Sequence, residues 1–139
     1  NTEWETKLFD LWKKIEHDVP SDINLDLGFN LWKSSVLCPW FKEEDVYIVL
    51  DGEKWVALST YARSLRSSDK ISTELTGVLP EYRRLGICSA VKIHALEDLK
   101  KKGFKKVFTG NEENNPMLQI NLMLGFKKVG KEFSCKLSL

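Results

Sequence analysis

Residues 71–110 constrain the fold more tightly than any other part of the chain. Ile71 to Leu79 reads as a strand, rich in β-branched side chains and closed by Pro80, which has no N–H to offer a ladder. From Gly86 to Lys102 the apolar spacing becomes helical: Cys88, Val91, Ala95 and Leu99 form one stripe, and Gly103 supplies the stop. Lys106 to Gly110 returns to strand character. Strand, helix and strand in immediate succession place the chain in the α/β class, with a helix laid on a sheet.

The flanking segments supply the remaining elements. Thr2 and Glu5 have capping-box spacing, and Trp4, Leu8, Leu11, Trp12 and Ile15 recur at helical intervals until Pro20 forbids continuation. A second helix is predicted after Asp26, with Phe29, Trp32 and Val36 on one face; it must stop near Cys38 because Pro39 disfavours helix before itself. Val46 to Leu50 and Trp55 to Tyr61 read as two antiparallel strands joined at the Asp51-Gly52 turn, and the Ser-rich stretch from Arg63 to Lys70 suits an exposed loop. Further on, Asn115 and Pro116 supply an N-cap and a first-turn proline to a short helix with the face Met117, Ile120 and Leu124, ending at Gly125. Phe133, Cys135, Leu137 and Leu139 alternate with Ser134, Lys136 and Ser138 in a final half-buried strand. The elements sum to a mixed α/β sheet of five or six strands, with no repeat and no linker.

A chain of 139 residues with 42% hydrophobic residues, five Trp, three Tyr and seven Phe can bury one core. Its 21 Lys and Arg nearly cancel its 20 Asp and Glu, so no net field draws it to nucleic acid or to an anionic membrane. Lys100, Lys101, Lys102, Lys105 and Lys106 close a helix whose C-terminal dipole end favours cations, and read as a solvated end. Cys38, Cys88 and Cys135 form no CxxC pair with histidine partners, so no metal site is expected and they read as free thiols of a reducing compartment. No stretch reaches the roughly 20 apolar residues of a membrane span, and no leader pattern opens the chain, which points to the cytoplasm.

Chemistry concentrates where the strand meets the helix. After Pro80, the run Arg83-Arg84-Leu85-Gly86-Ile87-Cys88-Ser89 opens the helix and aims free backbone N–H groups and a positive dipole end at one point. Such a point binds an anion, typically a pyrophosphate. Gly86 lets the backbone approach closely, and Arg83 and Arg84 can add charge-assisted contacts. Neither GxxxxGK[ST] nor GxGxxG is present, so this is neither a P-loop nor a dinucleotide fingerprint.

The run resembles the acyl-coenzyme A loop of the GNAT acyltransferase family, whose form [QR]xxGx[GA] here reads Arg83 to Cys88 after Val78-Leu79-Pro80-Glu81-Tyr82. The resemblance continues through TGNEENNPMLQINLMLGFKKVG, where a strand, an Asn-rich turn, a short helix and a Leu-Gly-Phe ending match the second half of the cofactor site. It covers Thr73 to Val129 closely and the earlier helices and hairpin by element order. Cys88 stands where the family prefers Gly or Ala, which a small thiol tolerates. The resemblance implies a mixed, mostly antiparallel twisted sheet of five to seven strands flanked by four helices. It implies one domain, 1–139, with 1–70 as the acceptor side and 71–139 as the acyl-coenzyme A half. Members usually begin with a strand, whereas this chain opens in a helix cap. The first edge strand is therefore expected to be missing, trimmed or supplied by another lobe, and the unpaired edge would invite a homodimer or a second GNAT lobe.

The implied activity is an N-acetyltransferase moving an acetyl group from acetyl-coenzyme A to a primary amine of a small molecule or peptide, by direct attack in a ternary complex. The implied cofactor residues are Val78, Leu79, Arg83, Arg84, Leu85, Gly86, Ile87, Cys88, Ser89, Asn111, Asn114 and Met117. Within that set an N–H of Val78 or Leu79 polarises the thioester carbonyl, and Asn111 and Asn114 bond pantetheine amides. An amine arrives largely protonated and needs a base. Glu74 is the first candidate; Glu112, with Glu113, is the second. Asn121 occupies the catalytic position at which many members carry a Tyr that protonates the departing thiolate, and an amide cannot be that acid. A thiol has a pKa near 8.5, so the thiolate leaves fairly well without help. The absent Tyr keeps a non-catalytic coenzyme A-binding domain as the alternative. His94 reads as a surface partner of Asp98, His17 as a group at a helix C-terminal end, and the tryptophans mostly as core, with Trp32, Trp40 or Trp55 the alternative lining of an acceptor pocket.

Overall fold

The computed structural model describes residues 3–17, 28–110 and 116–127. Helices α1 (Glu3–Glu16) and α2 (Phe29–Val36) precede strands β1 (Val46–Asp51), β2 (Lys54–Arg63) and β3 (Lys70–Val78); α3 (Ile87–Lys101), β4 (Lys106–Phe108) and α4 (Pro116–Met123) follow. The sheet runs β1-β2-β3-β4, antiparallel through its first three strands and parallel between β3 and β4. The described residues thus hold four helices and four strands, not the five to seven strands expected. Helix α1, from Glu3, is the first described element, and the expected strand from Phe133 to Leu139 lies outside the described residues. Thr2, Asn115 and Cys135 lie outside them too.

Strand β2 is buried from Val56 to Ala62 because helices cover both faces of the sheet, which is why its sequence is nearly continuous in apolar and small residues. On one face, Leu8, Leu11, Trp12, Ile15, Trp32 and Phe41 enclose Leu58 and Leu79. Their rings meet edge to face, with centroids 5.2 Å apart for Phe9 and Trp32 and 5.9 Å for Trp12 and Trp32. Trp40 departs from the core expectation and is 39% exposed. On the other face, Val91, Ala95 and Leu99 of α3 pack on Tyr47, Tyr61 and Ile71. Helix α1 crosses β3 so closely that a Cβ at Gly77 would overlap the Ile15 Cγ2 methyl.

The far end of α3 is tied to the sheet by charge. Asp45 is fully buried and accepts from Arg63 Nε at 2.6 Å and from Lys102 Nζ at 3.3 Å. Asp98 accepts from the Tyr47 hydroxyl at 2.6 Å and pairs with Lys102 at 3.1 Å. Lys102 is therefore part of an internal network rather than a solvated end. Asp98 is held below the ordinary carboxylate value chiefly by its hydrogen bonds to Tyr47 and Lys102, with His94 adding to the effect, and the His94 ring also lies edge-on to that of Tyr47 at 6.0 Å.

Candidate functional site

Strand β3 pairs with β4 only over Lys70 to Ser72, opposite Lys106 to Phe108. Beyond that point β3 runs on to Val78 while the chain leaves β4 at Thr109, so residues 73–78 present an open edge among the described residues. The Leu79 N–H donates to the Val56 carbonyl at 2.9 Å, which sets the phase of the ladder. By alternation, Thr76 and Val78 turn their backbone groups toward the open side. Of the two N–H groups expected to polarise a carbonyl, that of Leu79 is engaged in the sheet and that of Val78 faces the opening. The pairing of β2 with β3 shifts register between Ser59 and Tyr61, where Thr60 Oγ1 bonds both the N–H and the carbonyl of Leu75 at 3.0 Å. Glu74 stands at this irregularity. As a residue it is exposed, yet the protein around its carboxyl hinders solvation and raises its pKa above the ordinary value.

The strand then enters α3 through a fixed loop. Pro80–Tyr82 make one 3-10 turn, the Tyr82 hydroxyl donates to Asp51 Oδ2 at 2.6 Å, and Glu81 pairs with Lys54 at 3.2 Å, so the β1–β2 turn holds the loop in place. Arg83 Nε donates to the Val78 carbonyl at 3.0 Å. Arg84 is exposed and held at φ 65°, a left-handed conformation costing a non-glycine residue roughly 1–2 kcal/mol. Gly86 follows at φ 79°, with open space where a Cβ would stand. Helical bonding starts with the Ala90 N–H on the Gly86 carbonyl at 3.1 Å, so the N–H groups from Gly86 to Ser89 have no intrahelical acceptor, and no side chain caps them. Leu85 is 69% exposed, a side chain beside the loop rather than beneath it.

Between α3 and α4 lies a group of buried polar side chains. Cys88 Sγ approaches Met117 Sδ at 3.6 Å, and one turn further along α3 the Lys92 ammonium stands 5.5 Å from the Phe126 ring centre. Lys92 has no exposed surface, and burial pushes its pKa down to about 8. Burial also raises the Cys88 thiol and the Tyr61 hydroxyl. Asn121 is 1% exposed and its carbonyl accepts the Phe126 N–H at 3.0 Å. On the sheet below, Ser59 Oγ contacts the Tyr61 hydroxyl and Thr76 Oγ1, both at 2.9 Å. Among the described residues, Thr73 Oγ1 and Lys92 Nζ are buried without a hydrogen-bond partner. Sequence reasoning passed over Lys92; the signal was a lysine four residues after Cys88, between the stripe members Val91 and Ala95. Asn111, Glu112, Glu113 and Asn114 lie outside the described residues. No cluster of three metal-binding side chains occurs among the described residues.

An open strand edge running into a row of unpaired N–H groups, with orphaned buried polar atoms alongside, fits an extended amide chain ending in a diphosphate. Coenzyme A has that shape and chemistry. Residues 5–126 match the sequence model of the Acetyltransferase (GNAT) family. The chain belongs to the GNAT acetyltransferase family. Solved structures repeat the GNAT fold. The putative acetyl transferase from Pyrococcus furiosus superposes with a TM-score of 0.73 at 18% identity, covering 97% of this chain and 95% of that one. The ribosomal-protein-S18-alanine N-acetyltransferase from Escherichia coli gives 0.71 at 17% identity, covering 94% and 76%. The aminoglycoside N-acetyltransferase AAC(6')-Iy in complex with CoA gives 0.64 at 13% identity, covering 96% of each. No curated protein matches by sequence.

Proposed function

We propose that this GNAT chain moves an acetyl group from acetyl-coenzyme A to a primary amine of a small molecule or peptide, by direct attack within a ternary complex. The observation that carries this reading is the open edge of β3 leading directly into the glycine-entered N-terminus of α3. Coenzyme A supplies an activated acyl thioester when bound. The N–H groups from Gly86 to Ser89 and the Arg84 guanidinium would hold the diphosphate, with Leu85 and Ile87 alongside. The backbone of Thr76 and Val78 would hold the pantetheine arm, and the Val78 N–H would donate to the thioester carbonyl as negative charge develops there. Arg83, by engaging the Val78 carbonyl, orients that end of the strand. Met117, against Cys88, lines the α4 side; Asn111 and Asn114 would add amide contacts.

Glu74 would take a proton from the acceptor nitrogen, directly or through water, its raised pKa bringing it closer to the range of a working base. Glu112 is the second candidate. Two structural neighbours are named for amine acceptors, a ribosomal-protein alanine and an aminoglycoside, and an amine of that general kind is the acceptor class proposed here. One observation favours a second reading: Asn121 is buried at the place where many members carry a Tyr acid, as it would be in a coenzyme A-binding domain that no longer turns over.

Thiol release from acetyl-coenzyme A tests the proposal, measured with N-terminal peptides, a polyamine and an aminoglycoside. Amine-dependent release that disappears in Gly86→Glu is the expected result. Binding of acetyl-coenzyme A with no release on any amine supports the second reading, and absence of both binding and release overturns the two together.

A further inference from the structure

We propose that Lys92 is the proton donor to the coenzyme sulfur, filling from α3 the acid role that Asn121 on α4 cannot perform. This rests on the acyltransferase reading above. The geometry begins where α3 meets α4 and the turn after it. Cys88 of α3 meets Met117 of α4, and one turn along, Lys92 lies over Phe126, whose N–H is bonded to the Asn121 carbonyl. Lys92 thus meets, through Phe126, the turn that follows Asn121. On the sheet side, Val91 and Ala95 of α3 pack on Tyr61, and Thr76 lies on β3 along its open edge.

The surroundings of the ammonium are unlike those of a structural lysine. It has no exposed surface, and no hydrogen-bond acceptor among the described residues. The groups set against it are neutral: Phe126 does not titrate, and burial raises the neighbouring Cys88 thiol, which keeps it protonated. The Phe126 ring face, with its centre 5.5 Å from Nζ, offers it a cation–π contact. A buried cation without a counter-ion is strongly disfavoured unless an anion completes the site. An anion that forms only as the reaction proceeds meets that requirement, and a donor that pairs with it then acts on the transition state rather than on the ground state.

The step balances. The acceptor nitrogen bonds the acyl carbon, the carbon–sulfur bond breaks, and the electron pair stays on sulfur. Lys92 Nζ gives one proton to that sulfur, leaving free thiol and a neutral amine. The proton that Glu74 takes from the acceptor nitrogen is released to water, and Lys92 regains its own from water, so both groups return to their starting states. With a thiol pKa near 8.5, donor and acceptor are closely matched, so the transfer meets little thermodynamic resistance.

The test compares coenzyme A with desulfo-coenzyme A, which lacks the sulfur, by calorimetric titration at pH 8 of wild type and Lys92→Met. Wild type is expected to bind coenzyme A roughly tenfold tighter than the desulfo compound, as a charge-assisted pair would give. Lys92→Met is expected to bind both at the desulfo affinity, with a melting temperature at or above that of wild type. Lys92→Gln, which keeps much of the stem and loses the charge, serves if methionine perturbs folding. Equal affinities in wild type, or a sulfur preference that survives in both variants, overturns the assignment of Lys92 alone. Failure of wild type to bind either ligand overturns the coenzyme reading and this proposal with it.

Discussion

Gly77 lies one residue before Val78 in β3, beneath Ile15 of α1, and Gly77→Ala sets two effects against each other. Alanine in a strand gains about 0.5–1 kcal/mol over glycine because the unfolded chain has less freedom to lose. Here the added methyl would overlap Ile15 Cγ2, a branch fixed on the β-carbon of a helical residue that is 2% exposed. Such a branch has one strongly preferred rotamer and cannot swing aside, so α1 must shift. Overpacking a filled core costs about 1–3 kcal/mol. The steric effect wins, for a net loss of about 1–2 kcal/mol and a fall in Tm of roughly 4–8 °C. Urea unfolding followed by circular dichroism measures it. Ile15→Leu moves the branch from Cβ to Cγ and removes the overlapped methyl, so the double variant should recover about 1 kcal/mol relative to additivity. Gly77→Ala at or above wild-type stability would refute the close approach of α1.

Asp45→Ala strips Arg63 and Lys102 of a fully buried acceptor. Because Arg63 keeps Glu44 at 2.7 Å, the loss should fall at the lower end of the range for a broken buried pair, about 3 kcal/mol in urea unfolding; a change under about 0.5 kcal/mol would show the network to be idle. Lys92 has a folded pKa near 8 against about 10.4 unfolded, so the unfolded chain binds more protons between these values and wild-type stability should gain as pH rises through that window. Lys92→Met removes this gain, making the variant the more stable by up to about 3 kcal/mol near pH 7 and equal above pH 10.5; parallel pH–stability curves would contradict the burial of the charge. The raised Glu74 pKa places the acid limb of kcat/KM above the ordinary carboxylate range. Glu74→Gln should abolish that limb and lower the rate by roughly 10²-fold or more, and an unchanged limb would remove Glu74 as the base.

The parts of the fold legible in the sequence are those written in local chemistry. Pro80, Gly86 and Gly103 punctuate the chain wherever they occur, and the stripe Val91, Ala95, Leu99 is buried by α3 in the structure. The loop from Arg83 to Ser89 stands out in the sequence for the same reason, since a glycine entering a helix leaves a row of unpaired N–H groups by geometry alone. What escaped depends on partners distant in sequence. Lys92 is set against Phe126, which follows α4, and no periodicity along α3 reports where that residue packs. Arg63, Asp45 and Lys102 meet only once β2 and α3 are in place, so Lys102 could not be told in the sequence from Lys100, Lys101, Lys105 and Lys106, which are exposed. Register separates the Val78 N–H from that of Leu79, and register follows from pairing with Val56. Gly77 carried no signal of its own, because its reason is the Ile15 methyl above it.

The central claim is that the open edge of β3 and the N-terminus of α3 form the acyl-coenzyme A site, and thermal denaturation with and without acetyl-coenzyme A tests it most directly. At one hundred times the dissociation constant, bound ligand should raise stability by about 2.7 kcal/mol. Gly86→Glu should lose the shift, because any side chain at φ 79° is strained and a carboxylate would fill the space the diphosphate needs. A Gly86-dependent rise in Tm is the expected result. No rise at millimolar acetyl-coenzyme A, or a rise undiminished in Gly86→Glu, would contradict the site.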